Sequence, residues 1–465
     1  MDASRQPSNF DKFSHEVRLA YKEYLTVPTI MIIAFAVLAI AMVALEKSDI
    51  SWLDQLRVSI ERITFGGASS TQTTLAAAAG ALITITSITF TVLLLAVQQA
   101  AGSLSPEIVD QFLRRPFNQI AFGYFVGMSL YAVVVLATTH SSFDPVLFAL
   151  LTFIFSGIAL YLLAALVYVT LTQMRPPLVI HAIHDAVLEA RQRQLPIIQR
   201  TRRAPRITGG TRVPVQSRGD GYVANIDLKT IQRAIGDRRD DLEIVLHVQI
   251  GSYVALHDEV AEIRAGSAIK TGDLSQAILQ ALKLGPVRDL QYDPEHGIIQ
   301  IMNIGWTSIS TSKQNPVPGT EAINALRDFL GRWVGEEADP PDLKKLPVVY
   351  RDDISSKPLY MLESLAVVAT ESMQHQNFAL VLRAFAKMFD RLSPAQRSQV
   401  EEIIPRILSR LQYEVLTTEL DEALSTLADA LDTAGRGEKT AQVVWEARQQ
   451  ARSTIQGLAD TEDYA

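Results

Sequence analysis

From Ile63 to Ser105 the chain carries no charged side chain, and within that stretch residues 74–97 read TLAAAAGALITITSITFTVLLLAV. As a helix rising about 1.5 Å per residue, a run of this length extends ~36 Å, enough to cross the hydrocarbon core of a bilayer. Three companion stretches, 26–45, 119–138 and 146–171, are also uncharged and long enough to cross. In each, a helix can satisfy every backbone amide within its own segment, which is what a lipid environment demands. Four membrane spans are therefore predicted. The segment before the first holds Lys12, Arg18 and Lys22 and no small-residue cleavage site follows it, so the first span is read as retained.

Orientation follows from the lysines and arginines of the flanking loops. Arg5, Lys12, Arg18 and Lys22 precede span one, Arg114 and Arg115 lie between spans two and three, and the loop between spans three and four has neither residue type. Span four exits into Arg175, Arg191, Arg193, Arg200, Arg202, Arg203, Arg206, Arg212 and Arg218, with only Asp185 and Glu189 acidic among them. Lys47, Arg57 and Arg62 follow span one but are accompanied by Glu46, Asp49, Asp54 and Glu61. Both termini are thus expected on the cytoplasmic side of a bacterial inner membrane. The net charge of −7 averages an apolar first third with a polar remainder. The basic run is confined to the stretch after span four, where a membrane-surface role with anionic lipid as partner, or a helix-solvating role, is expected and nucleic acid is not. With no cysteine in the chain, disulfides and thiolate-ligated metals are excluded.

The soluble part divides on its punctuation into a juxtamembrane helix over 176–206, a small β module over 207–266, a mixed, mainly helical stretch over 267–340 and a C-terminal helical bundle over 341–465. Turn residues at 208–211 and 217–221 bracket a β-branched segment, and Ile244, Leu246, Val248 and Ile250 alternate before Gly251. This pattern predicts a small β-barrel, with Gly221, Tyr222 and Val223 supplying its first half. Such a module in carrier proteins presents a lysine, but no lysine occurs between Lys229 and Lys270, so a structural or docking role is expected. Asp293-Pro294-Glu295 opens a helix that is expected to break over 308–319.

Several motifs together carry a resemblance: LAVQQAAGSLSP over 95–106, Phe112-Leu113-Arg114-Arg115, Asn118-Gln119 leading into Gly123 and Gly127, the segment from Gly221 to Asp227, Gly251-Ser252-Tyr253-Val254, and Asp293, Gly297 and Asn315-Pro316. The chain resembles a bacterial family of predicted membrane proteins, the domain of unknown function numbered twenty-two fifty-four. That resemblance implies four spans and a cytoplasmic soluble part. It implies no reaction, substrate or cofactor.

Four features bear on function. Gly80, Thr84, Ser87, Thr91 and Gln98 share one face of span two, and such hydroxyls either line a path for small ions or pack against a neighbouring helix. Thr86 and Thr89 lie on another face. The segment 105–115 reads as an interfacial helix with Ile108 and Phe112 on its apolar side and Arg114 and Arg115 at its end, either a gating collar or a passive anchor. Gly123 and Gly127 form a GxxxG ridge that admits a helix of the same subunit or of another copy. His181, His184 and Asp185 share one helix turn, but no further ligand is evident in sequence and no metal is assigned. No phosphate loop, nucleophile elbow or carboxylate pair is present. The expectation is a non-enzymatic, cofactor-free, homo-oligomeric membrane protein of channel-like or transport-like design with a cytoplasmic sensing domain. The alternative is a membrane-anchored scaffold that recruits a protein partner.

Overall fold

The computed structural model describes residues 25–46, 55, 58–59, 68–103, 116–138, 146–173, 175–236, 242–266, 272–310, 315–334, 345–409, 411, 415–433 and 437–462. It divides into two units, Met1–Arg175 and Pro176–Ala465.

The first unit is built from α1 (Thr26–Glu46), α2 (Ala68–Ser103), α3 (Pro116–Thr138) and α4 (Val146–Gln173). Each contains a segment long and apolar enough to cross a membrane. The helices α1, α2 and α4 all pack on α3, whose Ala121, Phe125, Met128, Tyr131, Ala132 and Val135 are buried. Close approach of α1 depends on two glycines of α3. A Cβ at Gly123 would stand 2.8 Å from the Cα of Pro28, and one at Gly127 would stand 2.6 Å from the Phe35 ring. Without a hydrophobic driving force between helices in lipid, backbone contact of this kind is what holds spans together. Aromatic rings fill the rest: Phe35 meets Tyr124 edge-on at 5.4 Å, Tyr131 lies 4.8 Å from Phe148, and the Tyr124 hydroxyl donates to the Phe155 carbonyl at 2.9 Å.

In the second unit α5 (Pro176–Arg200) leads into β1 (Thr211–Gln216), β2 (Gly221–Ile226), α6 (Leu228–Ile235), β3 (Leu242–Leu246), β4 (Tyr253–Val254), β5 (Glu259–Ala265), α7 (Gly272–Ala281) and β6 (Leu282–Gly285). There follow α8 (Pro294–Ser310), α9 (Val317–Trp333), β7 (Val348–Val349), α10 (Lys357–Glu371), α11 (His375–Met388), α12 (Pro394–Leu408), α13 (Thr418–Thr433) and α14 (Glu438–Glu462).

The strands do not close into the predicted barrel. They form a four-stranded sheet in the order β1-β5-β3-β7 and a three-stranded sheet in the order β4-β2-β6. The segment Gly221–Ile226 pairs with β4 and β6 and belongs to a different sheet from β3. The module also reaches past 266, because β6 and β7 complete its two sheets, β7 joining β3 in parallel. All five residues of β3 are buried, including Glu243, so the strand is covered on both faces. Val248 and Ile250 are buried beyond its end. Both sheets contribute to one core with α6 and α7, through Val223, Ile244, Ile263, Ile231 and Ile278 among others.

The helices that follow pack α8 against α5, α9 and α10, and α13 against α11 and α14. The break expected over 308–319 is narrower, with α8 running to Ser310 and α9 starting at Val317. Ser393 caps α12 in a reciprocal pair with Gln396, which satisfies two otherwise orphaned amides. Asp421 on α13 takes hydrogen bonds from Arg448 and Arg452 on α14, and these hold its carboxyl well below the usual carboxylate range.

Candidate functional site

The polar stripe of span two turns away from its own bundle. Gly80, Thr84, Ser87, Thr91 and Gln98 are all exposed, whereas Leu75, Ala79, Leu82, Ile85 and Leu93 of the same helix are buried. Hydroxyls on the exposed face bond back to the helix, Thr84 to the Gly80 carbonyl at 2.8 Å and Thr91 to the Ser87 carbonyl at 3.0 Å. The inward hydroxyls behave differently. Thr86 reaches α3, 2.8 Å from the Ser129 hydroxyl and 3.2 Å from the Phe125 carbonyl, and Thr89 is fully buried.

Outward faces differ from helix to helix in how many small residues they carry. On α1 they carry Ile30, Ile33, Val37 and Ile40, and on α4 Phe153, Ile154, Ile158 and Leu160, side chains suited to lipid tails. On α2 the outward positions from Ala76 to Ser87 are Ala76, Ala77, Gly80, Ala81, Ile83, Thr84 and Ser87, and Ile88, Phe90, Leu94 and Leu95 are exposed further along. The small and hydroxyl residues among them let another backbone approach. The ridge of Gly123 and Gly127 is not part of that surface, because it is occupied by α1 of the same chain. Ile108, Phe112, Arg114 and Arg115 lie outside the described residues.

Glu46 escaped the sequence reading, which counted it among loop acids. It ends α1 buried, 6% exposed, and its Oε1 accepts the amide of Leu147 at 3.3 Å. A carboxylate there complements the unpaired amides at the start of α4. The available signal was an acid directly after an apolar run in a chain with a helix start at Val146.

In the second unit the residues that follow span four converge on a cleft of about 290 Å³ between α5 and α9, lined by His181, His184, Glu321, Asn324, Asp328 and Arg332 among others. His184 is buried, with its Nε2 2.8 Å from Asp328 and its Nδ1 3.3 Å from Asp185. Its ring stacks on Phe329 at 4.8 Å, Phe329 stacks on Trp333 at 5.0 Å, and the Arg191 guanidinium lies 5.7 Å over Trp333. Burial works to raise the pKa of Asp328, but hydrogen bonds from Arg332 and His184 outweigh it and the carboxyl is held low.

Several arginines of the run after span four make pairs inside the second unit, while Arg175, Arg206 and Arg218 are exposed. Arg191 is 3% exposed at its side chain and pairs with Asp352 through two bonds of 2.9 and 2.6 Å. Arg202 pairs with the fully buried Glu243, whose carboxylate also accepts the amides of Arg206 and Ile207. Arg193, Arg200 and Arg212 engage Glu189, Gln232 and Glu262. The spaced motifs of the resemblance are also joints: Gly251, at φ +89°, backs onto Asp293, and Gly297 sits under Val187 and Leu290.

No curated protein and no solved structure matches the chain. Residues 22–358, from the approach to α1 through the whole β module to the start of α10, match the family described as "Predicted membrane protein (DUF2254)". With four apolar helices and that match over most of its length, the chain is a membrane protein and belongs to the DUF2254 family.

Proposed function

We propose that this protein works as a homo-oligomer whose copies meet along α2, and that the hydroxyl face between them forms a conduit for small ions governed by the second unit. The observation that carries this reading is the run of small and hydroxyl residues, Ala76, Ala77, Gly80, Ala81, Thr84 and Ser87, on the outward side of α2, beside Ile83 and Ile88. Facing lipid, Ala76, Ala77, Gly80 and Ala81 bury little; facing another copy, they admit close backbone contact. Thr84, Ser87 and Thr91 then line the seam, where hydroxyl oxygens replace part of an ion's hydration. The described residues of the outward α2 face hold no charged group, which suits weak, fast passage better than tight coupled transport. The basic residues around the spans favour the second unit on the cytoplasmic side of the membrane. No reaction is assigned, and the design is that of a conduit and not an enzyme.

Replacing Thr84 and Thr91 together by leucine is expected to abolish ion flux in reconstituted liposomes while leaving the oligomer intact by native mass spectrometry. Flux equal to wild type in that double variant would remove the conduit.

A scaffold is the second reading, favoured by one feature of the three-stranded sheet. Tyr222 and Tyr253 pair across β2 and β4 with rings 5.1 Å apart, and Tyr253 is 57% exposed. An exposed tyrosine packed on a half-buried one suits recruitment of a protein partner.

A further inference from the structure

His181, His184 and Asp185 occupy positions i, i+3 and i+4 of α5, and one ligand atom from each lies within 4.8 Å of the others. The Nδ1 of His184 and the Oδ1 of Asp185 are 3.3 Å apart. That is also the edge of a tetrahedron of donor atoms placed ~2.0–2.1 Å from a central zinc ion. The other nitrogen of His184 is already committed, 2.8 Å from Asp328 Oδ2, and Asp328 is in turn held by Arg332 Nε at 2.5 Å. A neutral imidazole donates from only one nitrogen. With Nε2–H directed to Asp328, Nδ1 presents its lone pair on the side of the Asp185 carboxylate, so two donor atoms point to one place.

We propose that His181, His184 and Asp185 bind a divalent transition-metal cation of the zinc class, with Asp328 as the carboxylate that orients His184. Histidine ligands commonly donate their second ring nitrogen to a carboxylate, which fixes the tautomer and the ring plane, and Asp328 stands in that position. Stacking on Phe329 immobilises the ring further. His181 lies parallel to His184 at 6.0 Å and is exposed, with a ring nitrogen within 4.8 Å of the other two donor atoms. His181 and His184 also line the cleft, together with Glu321, Asn324 and Asp328.

Two imidazoles and one carboxylate select a borderline cation over magnesium or calcium, which prefer all-oxygen cages. The other histidine and acid group, His247, Glu259 and Glu262, is a poorer host. Its closest approaches are 3.9 and 3.8 Å, and Glu262 is shared between Arg264 and Arg212. The proposal does not depend on the conduit reading, and its test does not measure flux.

Isothermal titration of the tag-free, full-length protein in detergent with zinc chloride is expected to show one equivalent bound. His181→Ala and Asp185→Asn, both at exposed positions and with circular dichroism unchanged, should each lose that equivalent. Asp328→Asn should weaken it 10–100-fold, and His247→Ala should leave it unchanged. Cobalt(II) at the same site should give the intense d–d absorption of low-coordinate nitrogen and oxygen ligation. Absence of zinc binding, equal binding in wild type and in His181→Ala, or loss of the equivalent in His247→Ala alone would each overturn the assignment.

Discussion

Gly127→Leu is expected to unseat α1 from α3 and to lower the stability of the membrane unit by about 1–3 kcal/mol or more, the usual cost of overpacking. A Cβ at this position already meets the Phe35 ring at 2.6 Å and the Met31 carbonyl oxygen at 3.3 Å, and a leucine adds three more carbons in the same direction. Phe35 cannot retreat freely, because its other sides are held by Tyr124 and by Phe155 at 5.8 Å. The displacement therefore passes into the whole aromatic cluster. Gly80→Leu is the matching control, since nothing stands within 4 Å of a Cβ there. It should leave the folded subunit untouched and instead separate the copies. In mixed micelles titrated with dodecyl sulfate, the midpoint of unfolding should fall for Gly127→Leu and hold for Gly80→Leu, whose oligomer band should shift to monomer. The reverse pattern would mean that span three, not span two, forms the interface between copies.

Asp293→Ala is expected to destabilise the second unit by about 3–5 kcal/mol, the range for removing one partner of a buried ion pair. Asp293 is 2% exposed and takes two bonds from Arg288, at 2.6 and 3.0 Å. Its Oδ1 also accepts the His296 amide at 3.1 Å and so caps α8. Truncation leaves the Arg288 guanidinium with Glu295 at 3.2 Å, itself shared with Lys357 at 2.9 Å. Burial lowers the pKa of Arg288, but Asp293 and Glu295 more than offset it, so the group is committed to its charged form. Asp293→Asn keeps an acceptor for the cap and should cost less. Hydrogen exchange of the intact chain should show protection lost first in the opening turn of α8. Wild-type protection and an unchanged melting midpoint in Asp293→Ala would refute the joint.

The four spans were legible because lipid imposes length and apolarity on a single contiguous segment, so no distant residue is needed to recognise one. The sheets were not legible for the opposite reason. The strand β3 reads as half of a small barrel completed by Gly221–Val223, yet one of its neighbours is Val348–Val349, about a hundred residues later, and Gly221–Ile226 pairs with a four-residue strand formed by the tail of an amphipathic helix pattern. Glu243 shows the same limit. In sequence it marks the polar phase of an alternating strand, whereas in the fold it is fully buried because Arg202 and the amides of Arg206 and Ile207 come to it.

The candidate site was half legible. Helical spacing alone put Thr84, Ser87 and Thr91 on one face and Thr86 and Thr89 on another, but spacing carries no information on which face meets the bundle. Thr86 and Thr89 turn inward because Ala79, Leu82, Ile85 and Leu93 flank them on the side that α3 and α4 cover. Likewise His184 and Asp185 gave no hint of Asp328, which lies 144 residues away in sequence and 2.8 Å away in space.

Cysteine scanning of α2 in membranes tests the central reading most directly, and the chain offers a clean background because it contains no cysteine of its own. Thr84→Cys and Ser87→Cys are predicted to react with a membrane-impermeant charged thiol reagent and to cross-link neighbouring copies under mild oxidation. Ile33→Cys, on the outward face of α1, is predicted to do neither. If Thr84→Cys and Ser87→Cys resist the reagent and remain monomeric, as Ile33→Cys does, then α2 faces lipid and the conduit reading is contradicted.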